Sequence, residues 1–192
     1  MTARLPGLRP GDLSPAQLSV YEAIAGGPRA NGPFALVDEN GALHGPFNAM
    51  LLQPELGAAL QALGGAIRYR TALDARAREI ATLTVARAWD SAFERHAHEA
   101  VARSIGMSEA EVTALRTGEA SVFTDPRERL IFDLSTALAA RQDLTDDEYA
   151  AAVGVLGQPA VFELTTLVGY YATLALQLRV FRVQVPGVTE GG

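Results

Sequence analysis

Hydrophobic positions recur at helical spacing along almost the whole chain. Apolar residues three and four positions apart are typical of helices that bury one face. No run of alternating residues is convincing enough to indicate a sheet, and no internal repeat is present. The pattern therefore predicts an all-α protein, with helices over residues 47–53, 54–63, 74–89, 91–105, 108–116, 126–141, 145–155 and 160–181.

Capping residues and glycines mark several of the helix ends. Ser14 directly before Pro15 predicts one more helix start, after an extended arm over about residues 1–13. A loop rich in Pro and Gly follows at 26–45, and we expect a disordered tail at about 186–192. Two capping boxes, Ser108 with Glu111 and Thr145 with Glu148, and two terminal glycines, Gly106 and Gly157, mark later ends. We expect a single domain over residues 1–192.

The helices predicted at 74–89 and 160–181 are apolar on nearly every side. A helix of this kind lies at the centre of its domain or is covered by a partner subunit. Both helices are therefore expected to be fully buried, and a homo-oligomer is expected.

Composition narrows the range of functions. With 192 residues, 48% of them hydrophobic, the chain can bury a large core. The net charge is −6 and the arginines are scattered, which argues against nucleic acid as a partner. The N-terminus lacks the apolar run of a signal peptide, and the uncharged stretch 164–178 is shorter than the roughly 20 residues that span a bilayer. We expect a cytoplasmic protein without a membrane partner.

Glu94 and His98 carry the strongest chemical signal in the sequence. On a helix they lie about 40° apart, on the face that also carries Phe93 and Val101. His96, by contrast, falls on the charged face and is expected to meet water. Burying a carboxylate and an imidazole costs free energy, so such a pair is used for proton transfer or is satisfied within a buried network.

The segment 78–106 carries Glu79, Ser91, Glu94 and His98 at fixed spacing, and in this it resembles the carboxymuconolactone decarboxylase and alkylhydroperoxidase D family. The peroxidase branch has a glutamate, then Cys-x-x-Cys, then a histidine, and these map onto Glu79, Ser91, Glu94 and His98. The decarboxylase branch is closer, because it carries Glu-x-x-x-His at the positions of Glu94 and His98. The weaker motifs Gly45-Pro-Phe-Asn and Gly169-Tyr-Tyr extend the resemblance to roughly 40–182.

The resemblance implies an alkylhydroperoxidase D-like helical bundle that forms trimers or hexamers, with its site near a subunit interface. It implies no metal and no organic cofactor. The chain has no cysteine, so it has no thiolate nucleophile and cannot perform thiol-based peroxide reduction.

The remaining chemistry is acid–base catalysis. Loss of CO2 from a carboxylated lactone leaves a dienolate-like charge, which a histidine can protonate. A buried glutamate can orient that imidazole or take the proton itself, so His98, Glu94 and Glu79 are the candidate catalytic residues.

Substrate binding requires a cation and an apolar wall. Arg87 and Arg76 are the candidate anchors for a substrate carboxylate. Ser91 is a further candidate contact, although a role as a helix cap is favoured for it over a role as a nucleophile. Candidates for the wall are Phe47, Trp89, Tyr170 and Tyr171.

Several alternatives stay open at this stage. Glu94 and His98 can form a purely structural pair, and Glu79 can pair with Arg76 one turn earlier. The protein can also be another cofactor-free proton-transfer enzyme, namely an isomerase, hydrolase or dehydratase, or a non-catalytic oligomer that binds a small molecule. A metal site would require His44 to arrive from a distant loop, and the spacing gives no reason to expect this.

Overall fold

The computed structural model describes residues 3–187, and helices account for most of that segment. The all-α prediction is confirmed. Two residues of the described segment, Val37 and Leu43, form an isolated antiparallel bridge, and no strand is formed there. The α-helices of this segment are α1 (Pro15–Ala25), α2 (Pro46–Met50), α3 (Pro54–Tyr69), α4 (Ala75–Ala88), α5 (Ala92–Ser104), α6 (Glu109–Thr117), α7 (Pro126–Arg141), α8 (Asp146–Leu156) and α9 (Gln158–Val180).

The predicted caps are confirmed. Ser14 caps α1, and its side chain accepts a hydrogen bond from the backbone N–H of Gln17. Both predicted capping boxes form, at the starts of α6 and α8. Gly106 and Gly157 have positive φ angles of 86° and 81°, a conformation that favours glycine at a helix end. These local signals position the helix ends because they satisfy backbone groups that the helix itself leaves unpaired.

The prediction for α3 was too short. The helix continues from residue 63 to Tyr69, through Gly64 and Gly65. Glycine weakens a helix, so the sequence signal fades there. Tertiary packing explains the continuation, because a side chain at Gly64 would collide with the Tyr170 hydroxyl. Helix α3 therefore needs a glycine where it passes α9.

Helix α4 is the central helix, as predicted. It packs against α5, α6, α7 and α9, and every residue from 79 to 86 is buried. Helix α9 is different, because one of its faces is exposed within this single chain. Burial inside the domain therefore does not hold for that face, and cover by a partner subunit stays a prediction. Phe162 is 72% exposed, and Leu176 and Val180 are also exposed. These three residues lie within about 40° of one another around the helix.

Helix α9 is also the one described helix that is long and apolar enough to cross a membrane. Its inner face, however, packs against α4, α7 and α8. Buried positions such as Leu164, Leu167 and Leu174 belong to the hydrophobic core. That packing is what the central helices of a helical bundle show.

Two connections bring the site together. The loop 26–45 contains a short 3-10 helix, Pro28–Asn31, and covers one side of α3 and α5. The turn between α4 and α5 passes through Asp90, whose φ of 48° lies in the left-handed region. This tight turn sets α4 and α5 side by side, so residues on their facing sides can meet. Of the tail predicted at 186–192, Pro186 and Gly187 form a turn, and the other positions lie outside the described residues.

Candidate active site

A cavity of about 100 Å³ lies between α3, α5, α9 and the loop 26–45. Its wall is mostly apolar, with a few ionisable side chains projecting into it, which is the usual composition of a small-molecule site. Most of its aromatic wall comes from four separate parts of the chain, with Phe34 in the loop, Phe47 in α2, Phe93 in α5, and Tyr170 and Tyr171 in α9.

His98 lines this cavity and is held from behind by Glu79. The Nδ1 atom of His98 lies 2.7 Å from Oε2 of Glu79, and both side chains are buried. In the tautomer that carries hydrogen on Nδ1, this N–H donates to the carboxylate oxygen of Glu79 and leaves Nε2 free for a ligand. The ring of Tyr171 packs edge-on against the imidazole, with 5.0 Å between centroids. The imidazole is thus fixed in orientation before any ligand arrives.

Glu94 lines the same cavity but is not paired with an ion. Its residue is 3% exposed, and within residues 3–187 neither carboxylate oxygen has a hydrogen-bond partner. Burial raises the pKa of Glu94 to about 8, and the nearby Ser91 hydroxyl offsets part of that rise without a well-aligned hydrogen bond. At neutral pH Glu94 is therefore mainly the neutral acid, which can donate a hydrogen bond.

The three acid–base residues have different partners from those expected. Both Glu94 and His98 are buried on the inner face of α5, as predicted, and His96 is exposed. The glutamate that holds His98, however, is Glu79 rather than Glu94. The alternative pairing of Glu79 with Arg76 does not occur, because Arg76 bonds to Glu128 and Glu111 instead.

The predicted substrate-binding residues divide into two groups. Phe47 and Tyr170 line the cavity. The proposed anchors do not, because Arg76 lies in its ion pairs and the Arg87 guanidinium stacks 5.6 Å from the centroid of Phe132. Trp89 ends α4 outside the cavity wall, and its carbonyl accepts a hydrogen bond from Arg179.

Ser91 lies next to this site without lining its cavity. Its backbone occupies the N-cap position of α5, as the favoured interpretation required. Its side chain makes no capping hydrogen bond, however, and within the described residues its buried hydroxyl has no partner. In this structure the Ser91 hydroxyl lies near the Glu94 carboxyl group and affects its pKa.

Two arginines at the cavity were not predicted from the sequence. Arg29 comes from the 3-10 helix in the loop 26–45, and Arg68 comes from the last turn of α3. Loop residues have no periodicity that indicates where they point, and α3 was expected to end before Arg68. Phe93, recognised only as part of the inner face of α5, packs against Gly45, whose φ is 65°. The Gly45-Pro46 pair in the sequence could have indicated this close contact, because only glycine leaves room for the Phe93 ring.

His44 lies beside the cavity rather than in its wall. Its ring centroid is 6.0 Å from that of Phe34, which does line the cavity. Among residues 3–187, no group of three or more His, Asp or Glu side chains is arranged to hold a metal ion.

Comparison with known proteins agrees with this architecture. Residues 54–137 match the model of the Carboxymuconolactone decarboxylase family. No curated protein sequence matches the chain.

Solved structures extend the similarity to nearly the whole fold. A peroxidase-related protein from Ralstonia eutropha JMP134 with an alkylhydroperoxidase AhpD core has a TM-score of 0.76 at 13% identity, over 96% of this chain and 93% of that one. The debrominase Bmp8, in a cysteine-to-alanine variant bound to 2,3,4-tribromopyrrole, has a TM-score of 0.76 at 15% identity, over 97% and 94%. A protein of unknown function from Agrobacterium tumefaciens has a TM-score of 0.66 at 22% identity, over 73% and 97%. At these identities the similarity establishes an AhpD-like fold.

Proposed function

We propose that this chain, whose residues 54–137 match the model of the Carboxymuconolactone decarboxylase family, is a cofactor-free lyase that acts on a small carboxylated lactone or oxygenated acid. One observation carries the proposal. A buried Glu79–His98 pair and a buried, unpaired Glu94 line or support the same apolar cavity. Burial raises the pKa of Glu94, and a carboxylic acid kept neutral beside an oriented imidazole is an arrangement suited to acid–base chemistry near neutral pH.

In the proposed reaction, His98 is the proton donor. The carbon–carbon bond to the leaving carboxylate breaks, CO2 departs, and the electron pair passes into the conjugated carbonyl as a dienolate. The Nε2–H of protonated His98 then gives its proton to carbon, and solvent restores that proton. Glu79 stabilises the charged imidazole and keeps Nε2 directed into the cavity.

Glu94 is proposed to stabilise the dienolate oxygen. As a neutral acid it donates a hydrogen bond to the oxygen on which negative charge develops. The phenylalanine side chains favour the step in another way, because an apolar wall disfavours a carboxylate relative to neutral CO2. Proton donor, hydrogen-bond donor and apolar wall are thus supplied by residues of this chain.

The proposal is tested by CO2 release from 4-carboxymuconolactone. We expect the wild-type protein to release CO2 and His98→Ala to lose it by at least about 100-fold, the usual contribution of a general acid. His96→Ala is the matched control, because His96 is exposed on the same helix and should retain full activity. Glu79→Gln should be intermediate, since it keeps a hydrogen-bond acceptor but removes the charge that stabilises the imidazolium.

Two results would contradict the proposal. No CO2 from the folded wild-type protein would reject this substrate, and turnover of other small lactones or acids would then point to an isomerase, hydrolase or dehydratase. Equal activity in His98→Ala and the wild type would reject His98 as the acid. A non-catalytic binding protein would bind these acids without turnover. If the Glu79–His98 pair is purely structural, His98→Ala would lower the melting temperature of the protein without lowering its activity.

The assembly and location are also proposals. The exposed stripe of Phe162, Leu176 and Val180 on α9 supports a homo-oligomer, a trimer or hexamer by the family resemblance. The molar mass in solution, measured by light scattering, distinguishes these from a monomer. A cytoplasmic location and the absence of an organic cofactor stay predictions.

A further inference from the structure

The cavity has a basic side that the proposed reaction does not use. Arg29 and Arg68 both line it, and within residues 3–187 neither forms an ion pair with a carboxylate. The Nη1 and Nη2 groups of Arg29 donate to the side-chain and backbone oxygens of Gln61, at 3.2 and 3.3 Å. Its guanidinium also lies 5.4 Å from the centroid of Phe47. Arg29 is therefore held in place by neutral groups only.

Helix α3 brings the two arginines to one place. Gln61, Gly64 and Arg68 are spaced by three and four residues, so they share one face of the helix. A Cβ atom at Gly64 would lie 2.8 Å from Nη2 of Arg29 and would collide with the Tyr170 hydroxyl. The Arg29 guanidinium and the Tyr170 hydroxyl thus meet over Gly64, one turn before Arg68.

Among residues 3–187, the two arginines at the cavity have no negatively charged side chain left to neutralise them. Glu79 is already paired with His98, and Glu94 is mainly neutral near pH 7. Burial raises the pKa of Tyr170 to about 12, so its hydroxyl keeps its proton, and it forms no hydrogen bond within the described residues. Two half-buried cations and a free O–H donor thus face one apolar cavity, an arrangement that favours an anion.

We propose that Arg29, Arg68 and the Tyr170 hydroxyl form the subsite for an anionic group, most simply a carboxylate, that the substrate keeps throughout the reaction. A carboxylate held by two arginines is stabilised against loss as CO2, so the anchored group is not the one that leaves. The substrate class is therefore a small unsaturated acid with an anionic group separate from its reacting carbon. The statement about which group leaves rests on the proposed function, whereas the binding of an anion at this subsite does not.

The test measures binding without turnover. Benzoate is the probe, and benzamide is its neutral counterpart of nearly equal shape, each titrated by calorimetry into the full-length protein. We expect the wild-type protein to bind benzoate at least tenfold more tightly than benzamide. Arg68→Gln and Arg29→Gln should each lower the affinity for benzoate by about ten- to a hundredfold, which is the range for a charge-assisted hydrogen bond. The affinity for benzamide should not change.

Matched variants separate charge from folding. Arg70→Gln removes an exposed arginine two residues from Arg68 and should leave both affinities unchanged. Arg29→Lys keeps a charge and should lose less benzoate affinity than Arg29→Gln, even if both lower stability. Gly64→Ala should weaken benzoate because its methyl group displaces Arg29 and Tyr170.

The proposal would be overturned if benzoate bound the folded wild-type protein no more tightly than benzamide. It would also be overturned if Arg68→Gln and Arg29→Gln weakened both ligands equally or neither of them. These outcomes differ from failure of the proposed function. Selective benzoate binding without decarboxylation would preserve the subsite and reject the reaction, whereas decarboxylation with unselective binding would do the reverse.

Discussion

Arg76 and Glu79 lie about one turn apart on α4, but they belong to two charged clusters of opposite character. The first cluster contains Arg76, Glu111 and Glu128, with side chains 32%, 17% and 19% exposed. Burial alone would raise the pKa of Glu111, but hydrogen bonds from Ser108 and Arg76 bring it below its ordinary value. Hydrogen bonds to Glu128 and Glu111 raise the pKa of Arg76. Every member of this cluster is charged and partnered.

The second cluster contains Glu79, His98 and Glu94, all of them buried. Here one carboxylate has a partner and the other has none. Partly exposed charges with partners stabilise the helix packing modestly, whereas a buried carboxyl group without a partner destabilises its ionised form. The number of charges on a helix therefore says little about function. The pairing and burial of each charge decide whether it serves packing or chemistry.

Removing the unpaired carboxyl should have the largest effect. Glu94→Ala is expected to lower decarboxylase turnover by about 100- to 1000-fold, because it removes the hydrogen-bond donor to the dienolate. Glu94→Gln keeps an N–H donor and should remain within about tenfold of the wild type. Steady-state kinetics on 4-carboxymuconolactone measure both. Glu111→Gln, in the other cluster, should leave turnover unchanged, and unchanged turnover in Glu94→Ala would contradict the role given to Glu94.

The second effect concerns stability and pH. The pKa of Glu94 is raised on folding from 4.5 to about 8, so the folded state holds its proton more tightly than the unfolded state does. Its contribution to stability is fully present below about pH 4.5 and is lost as the pH rises to about 8. The free energy of unfolding should therefore fall by up to about 1.4 kcal/mol per pH unit in that window through this group. Urea unfolding of the wild type and Glu94→Gln measures it, because the variant should lack this component, and equal slopes would contradict it.

The smallest effect is expected for the first cluster, that of Arg76, Glu111 and Glu128. Arg76→Gln should cost about 1 kcal/mol of unfolding free energy, since partly exposed ion pairs contribute little. Turnover and benzoate affinity should stay at wild-type values, because Arg76 does not line the cavity. Urea unfolding gives the first quantity and calorimetry the last. A loss of benzoate affinity in Arg76→Gln, but not in Arg68→Gln, would return the anchor to the position first predicted for it.

Sequence reasoning reached one part of the site and missed another. Helical spacing placed Glu94 and His98 on an inner face because both lie on one continuous helix, whose geometry relates residues four apart. The partner of His98 lies on a different helix, nineteen positions away. The family resemblance brought Glu79 in as a candidate, but its contact with His98 depends on how tightly the chain turns at Asp90. The prediction of which arginines line the cavity was wrong for the same reason. Helical angles relate residues around one helix, but they do not give the positions of residues on different helices.

The helical class, the capped helix ends and the buried face of α5 could all be predicted from the sequence, and the composition shows that this chain supplies no cysteine thiol. These follow from local rules: side-chain periodicity, hydrogen bonds within one turn, and the presence or absence of a reactive atom. Packing between helices was needed to bring Glu79 to His98, to leave Glu94 without a hydrogen-bond partner among residues 3–187, and to turn Arg29 and Arg68 toward the cavity while Arg76 and Arg87 lie away from it. Electrostatic partners and burial depend on packing between distant segments, and no local spacing encodes that packing.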